Sequence, residues 1–183
     1  MADMYQRVTD ERDIFKQLLS KVPGFKGYVE RETRRSSDKL LRESLADRFE
    51  ELWQRISTIQ KLMVNDGMIE YVDDMEGASI KLRQFIDRVR NASYGYAGLF
   101  DAIKIDQEEL SEIYRYDMAM FNLADEVGRA IDNVEVSIGG EGIKAAINNL
   151  VNLSQQCVDT FNKRIEVIKT GVSGGDITTT QVQ

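Results

Sequence analysis

Tyr28, Arg31, Arg35, Asp38 and Arg42 follow one another at alternating steps of three and four residues, and the same rhythm runs on into Leu45. That spacing lines side chains up along one face of a helix. Arginine offers a planar fork of N–H donors that fits carboxylates and phosphates. A row of three guanidiniums with a phenol and a carboxylate therefore suits one of two tasks. It binds an anionic group, or it neutralises charge inside a helical seam. Asp117 falls on the apolar seam of a later helical stretch, which makes it the expected partner of Arg31 or Arg35. Burying any of these charges without a partner costs several kcal/mol, so pairing or wetting is required if the seam is continuous. Two other readings stay open. Ser36 or Ser37 caps a new helix after a solvated stretch, or the helix projects beyond the body of the protein as a polar rod. Among these readings, register-fixing ion pairs are favoured over a binding site.

The helices that carry these residues follow from the 3.6-residue periodicity, which dominates the chain, while strand signals are nearly absent. A first helix is expected over 4–21, ended by Pro23 and Gly24. A long second helix is expected over 27–65, stopped by Asp66 and Gly67, with Leu45, Phe49, Leu52, Ile56, Ile59 and Met63 as its seam. A third spans 68–91 on Val72, Met75, Ser79, Leu82, Ile86 and Val89. A fourth spans 107–136 on Leu110, Ile113, Asp117, Met120, Ala124, Val127, Ile131 and Val134. A fifth spans 142–169 on Ile143, Ile147, Leu150, Ser154, Cys157, Phe161, Ile165 and Ile168, closed by Gly171. The expected fold is all-α: an antiparallel bundle of four long helices with coiled-coil-like seams, plus a shorter N-terminal helix. Residues 1–170 form one domain in this reading, and 171–183 form a flexible polar tail.

Composition removes many chemistries. The 183 residues include no histidine and one cysteine, Cys157, so histidine-dependent triads, histidine-ligated zinc and disulfides are out of reach. Di-iron bundles that use Glu-x-x-His fail for the same reason. Glu108 to Glu112 resembles the first half of the carboxylate pattern of all-α nucleotide pyrophosphohydrolases. The second Glu-x-x-Asp that would complete a magnesium site is missing, and an acidic first turn suits the helix dipole. No metal or cofactor is expected. Cys157 reads as a buried small hydrophobe rather than a nucleophile.

The net charge of -7 opposes binding to nucleic acid or to anionic lipid. From Arg31 to Arg55 seven basic residues are interleaved with six acidic ones, a mixed face rather than a phosphate stripe. No stretch reaches the length of a membrane span, and the N-terminus lacks the apolar run of a signal peptide. The expectation is a cytoplasmic protein.

The connection over 91–106 holds Tyr94, Tyr96, Leu99, Phe100, Ile103 and Ile105, the densest apolar group outside the seams. It is expected to contain a short helix and to cap the bundle, with a docking patch for a partner as the alternative. Taken together, these features point to a non-enzymatic scaffold, adaptor or assembly subunit that binds protein partners or self-associates as a homo-oligomer. The alternative is a small-molecule or anion-binding bundle, an enzyme among the possibilities, using Tyr28, Arg31, Arg35, Asp38, Arg42 and Asp117. A third is a peripheral component of a membrane-associated complex.

Overall fold

The computed structural model describes residues 2–28, 30–92 and 107–175. Within them the chain forms α1 (Ala2–Lys21), α2 (Arg31–Asn65), a 3-10 turn (Ile69–Tyr71), α3 (Val72–Asn91), α4 (Gln107–Val136) and α5 (Ile143–Gly175), with no strand among the described residues. The all-α bundle is therefore present. None of these helices is long and apolar enough to cross a membrane.

Polar side-chain pairs between the helices give their directions. Glu50 pairs with Arg83 while Gln60 bonds Glu76, so α2 and α3 run antiparallel. Arg48 and Arg55 pair with Asp125 and Asp132; both partners advance by seven residues, so α2 and α4 run parallel and in step. Lys81 with Gln155 and Arg88 with Asn162 show the same for α3 and α5. Consecutive long helices thus alternate in direction, and the order around the bundle is α2, α3, α5, α4, with α1 laid on α4.

The seams supply the core. Leu45, Phe49, Ile56, Leu82, Ile86, Val127, Ile131, Ile147 and Leu150 are wholly buried. Ring packing continues across three helices, from Phe49 to Phe85 at 4.6 Å between centroids and from Phe85 to Phe161 at 6.0 Å. The uncharged polar seam positions are satisfied locally. Ser79 accepts from Trp53 Nε1 at 3.0 Å, and Ser154 donates to the Leu150 carbonyl at 2.8 Å.

Three boundaries differ from the sequence expectation by more than two residues. α2 starts at Arg31 rather than at 27, because Gly27 sits at φ +81° and turns the chain so that Tyr28 enters the core. The 3-10 turn delays α3 to Val72. α5 continues through Gly171 to Gly175, since a glycine within a helix costs only about 1 kcal/mol relative to alanine and does not stop it unaided. α2 is one unbroken helix of 35 residues, about 52 Å at 1.5 Å per residue. No new helix is capped at Ser36 or Ser37: Ser36 donates back to the Thr33 carbonyl at 2.8 Å and Ser37 is buried. Tyr94, Tyr96, Leu99, Phe100, Ile103 and Ile105, and the tail beyond Gly175, lie outside the described residues.

Candidate functional site

The polar end of the α2 seam is buried. Asp38 and Arg42 are 8% and 4% exposed, Asp117 on α4 is 0%, and Tyr28 at the entry to α2 is 0%. The side chain that joins them is Arg164 of α5, 2% exposed. Its Nε donates to Asp117 Oδ1 at 2.5 Å, and its Nη2 donates to Asp38 Oδ1 at 2.8 Å and to Tyr28 Oη at 3.2 Å. Tyr28 Oη donates in turn to Asp117 Oδ2 at 2.8 Å. Arg42 Nε donates to Asp38 Oδ2 at 2.8 Å, and its Nη1 donates to the Val89 carbonyl at 3.0 Å. Arg42 thereby binds one of the carbonyls left over at the C-terminus of α3, where a cation also suits the helix dipole.

The helices place these groups for simple reasons. α2 and α4 run parallel, so the early turns holding Asp38 and Asp117 stand at the same end of the bundle. α5 runs against α4, so its late turn holding Arg164 arrives there too. The loop before α2 delivers Tyr28. The Tyr28 N–H donates to Tyr114 Oη at 2.9 Å, the Tyr28 carbonyl accepts from Arg34 Nε at 2.5 Å, and the Tyr28 and Tyr114 rings stack at 5.3 Å. Gly27 is needed for this path. A Cβ there would lie 2.7 Å from Tyr114 Oη and 2.9 Å from the Phe15 ring.

Two guanidiniums and two carboxylates make the cluster electrically neutral, and no buried side-chain nitrogen or oxygen among the described residues lacks a partner. Burial pushes the Asp117 carboxyl above its ordinary value, against the pull of Arg164 and Tyr28. Burial also raises the Tyr28 phenol, with Asp117 adding to the rise. For Arg164 burial acts downward, but Asp117 and Asp38 outweigh it and hold the guanidinium well above its ordinary range. The two carboxylates and two guanidiniums are bonded to one another and to Tyr28.

The structure brings Tyr28, Asp38, Arg42 and Asp117 together as the spacing anticipates. It does not bring Arg35, which is exposed on α2 and takes no part in the buried cluster. The expected pairing of Asp117 with Arg35 is therefore corrected: the cation comes from α5. Arg31 begins α2, and its side chain lies outside the described residues. The reason for the correction is the angular position of Arg35 on α2. At about 100° per residue Asp38 stands only about 20° around the helix from Leu45, whereas Arg35 stands about 80° away at the margin of the inner face, where it is exposed.

Arg164 was legible in principle. The α5 seam runs Leu150, Ser154, Cys157, Phe161 by steps of four, three and four, and a further three reaches Arg164, then four reaches Ile168. Hydrophobicity favours Ile165 in that place, yet Ile165 is only partly buried. No family model, curated protein or solved structure matches this chain.

Cys157 is buried, and burial pushes its thiol up to about 12. No group of three or more acidic or cysteine side chains placed to hold a metal ion occurs among the described residues. Beside the cluster, Lys39, Arg42, Glu43, Asp47 and Arg90 line an open groove of about 460 Å³. Its charges are engaged with one another: Arg90 bonds Asp47 and Glu50, and Lys39 lies 3.7 Å from Glu43.

Proposed function

We propose that this chain is a non-enzymatic helical scaffold or assembly subunit that acts through protein–protein contacts. The observation that carries the reading is the closed state of the buried charges. Asp117 and Asp38 are both held by Arg164, and Arg42 is held by Asp38 and the end of α3. A ligand-binding cluster leaves its donors open to a cavity; here Arg164 bonds Asp117, Asp38 and Tyr28, and Arg42, which also borders the groove, bonds Asp38 and the end of α3. Its work is to fix the register of α2, α4 and α5, a recognised use of buried polar groups. The long seams, matched seven residues at a time, then provide a rigid body on which surfaces can be displayed.

The bonds of Arg164 to Asp117 and Asp38 support the scaffold reading over the anion-binding alternative. Two measurements test the reading. Thermal melting with inorganic phosphate, citrate or a nucleoside triphosphate is expected to show no saturable shift. Light scattering over a wide concentration series, alone and with a bound partner protein, is expected to show discrete complexes. A saturable rise in Tm with one of those anions that is lost in Arg42→Ala would sink the scaffold reading.

A further inference from the structure

The end of the bundle away from the charge cluster combines carboxylates with uncovered apolar side chains. Residues 61–76 and 132–144 meet there, because α2 and α4 both end at it and α3 and α5 both begin at it. These two stretches hold eight carboxylates, all exposed, against Lys61 and Lys144. Their balance accounts for nearly all of the net charge of -7. Four of the six exposed large hydrophobic residues among those described lie in the same stretches: Leu62 at 42%, Val64 at 51%, Ile69 at 68% and Val136 at 80%.

Two of the four face the same groove. Arg55 of α2 meets Asp132 of α4 at 2.5 Å, which fixes the level of one helix against the other. Leu62 lies seven residues beyond Arg55 and Val136 four beyond Asp132, so each stands on the same helix face as its reference residue. At 1.5 Å per residue they lie only about 4.5 Å apart along the bundle axis. Leu62 and Val136 therefore flank the α2–α4 groove as an apolar pair within an acidic rim.

Resting on the scaffold reading, we infer that this end is the docking surface for a basic amphipathic helix of a partner protein. Charge decides the occupant. Nucleic acid and anionic membranes are repelled by the rim. A second copy brought end to end would set the two acidic rims against each other, and like-charge contact at an interface is strongly opposed. A helix with apolar residues at three and four spacing, flanked by Lys and Arg, fills the groove with one face and meets the rim with the other.

The probe is a fluorescently labelled peptide of Leu and Lys arranged as an amphipathic helix, with a control in which Ser replaces every Leu. Anisotropy titration is expected to give saturable binding of the Leu peptide and much weaker binding of the Ser peptide. Val136→Glu, or Leu62→Ser with Val136→Ser, is expected to weaken binding about tenfold or more, as loss of a central anchor does. Asp73→Lys with Asp74→Lys is expected to weaken it and flatten its salt dependence. Glu32→Lys with Glu166→Lys, at the opposite end, is expected to leave it unchanged. Unaltered Tm in each variant excludes unfolding as the cause. Equal binding of both peptides, insensitivity to the Val136 variants, or no binding overturns the inference. So does sedimentation showing self-association abolished by Val136→Glu, which would make the occupant a second copy. Failure here, with discrete complexes still forming through another face, leaves the scaffold reading standing; the anion-dependent Tm shift tests that reading separately.

Discussion

Arg164→Met isolates the interaction on which the polar core depends. Methionine keeps the length of the side chain and removes its charge. Asp117 then loses its only guanidinium and keeps one hydrogen bond, from Tyr28, while Asp38 keeps Arg42. A pair of charges about 4 Å apart interacts by about 4 kcal/mol at an effective dielectric of about 20, and breaking a buried pair from one side typically costs about 3–5 kcal/mol. For a domain of this size each kcal/mol lowers Tm by about 2–4 °C, so the variant is expected to melt about 6–20 °C below the parent at neutral pH. The pH dependence gives a second check. Burial already holds the Asp117 carboxyl above its ordinary value, and Arg164 is the foremost influence drawing it down. Without Arg164 it rises further, so the folded variant takes up a proton more readily than its unfolded chain. Stability of the variant relative to the parent therefore recovers as pH falls through that raised value, and the recovery ends once pH drops below the parent's own Asp117 value, because the unfolded chain's contribution is common to both. Circular dichroism melts of both proteins at neutral and mildly acidic pH measure the gap. Adding Asp117→Leu to Arg164→Met is expected to regain most of the loss, since neither charge is then left alone. A single variant that melts at or above the parent at neutral pH, or a gap that widens on acidification, refutes this account of the core.

Arg42→Met is expected to destabilise by about 2–4 kcal/mol, because it strips Asp38 of one partner and the end of α3 of its cap; urea melts against the parent measure it. Gly27→Ala combines a left-handed backbone with contacts under 3 Å to Tyr114 and Phe15, and Gly67→Ala has a similar backbone with nothing within 4 Å, so the first is expected to cost clearly more than the second in the same melts. Cys157, with its thiol raised to about 12 and no exposure, should resist Ellman's reagent in the native protein at mildly alkaline pH and react at once in guanidinium; rapid native labelling would contradict its placement in the core.

The sequence alone determined the helices and most of what they bury. Heptad spacing is a local property: residues three and four apart share a helix face whatever surrounds them. Leu45 through Met63, Ile113 through Val134 and Ile143 through Phe161 could therefore be assigned from the rhythm, and so could the burial of Asp117, Ser79 and Ser154 among them. The same rhythm identified Asp38 and Arg42 as charges on a seam that must be paired.

Which charge pairs with which was decided only by the tertiary structure. Arg164 is 47 residues from Asp117 and 126 from Asp38, and no local pattern encodes that closure. It follows from the order of helices around the bundle, which sets α4 between α2 and α5 and brings a late turn of one against the early turns of the others. Arg35 shows the opposite limit. Its spacing follows the rhythm, but ten residues from Leu45 at about 100° each leave it about 80° around the helix, at the margin of the face that packs inward. The acidic end has the same origin. Its carboxylates lie in two stretches more than fifty residues apart, and only the parallel course of α2 and α4 gathers them around Leu62 and Val136.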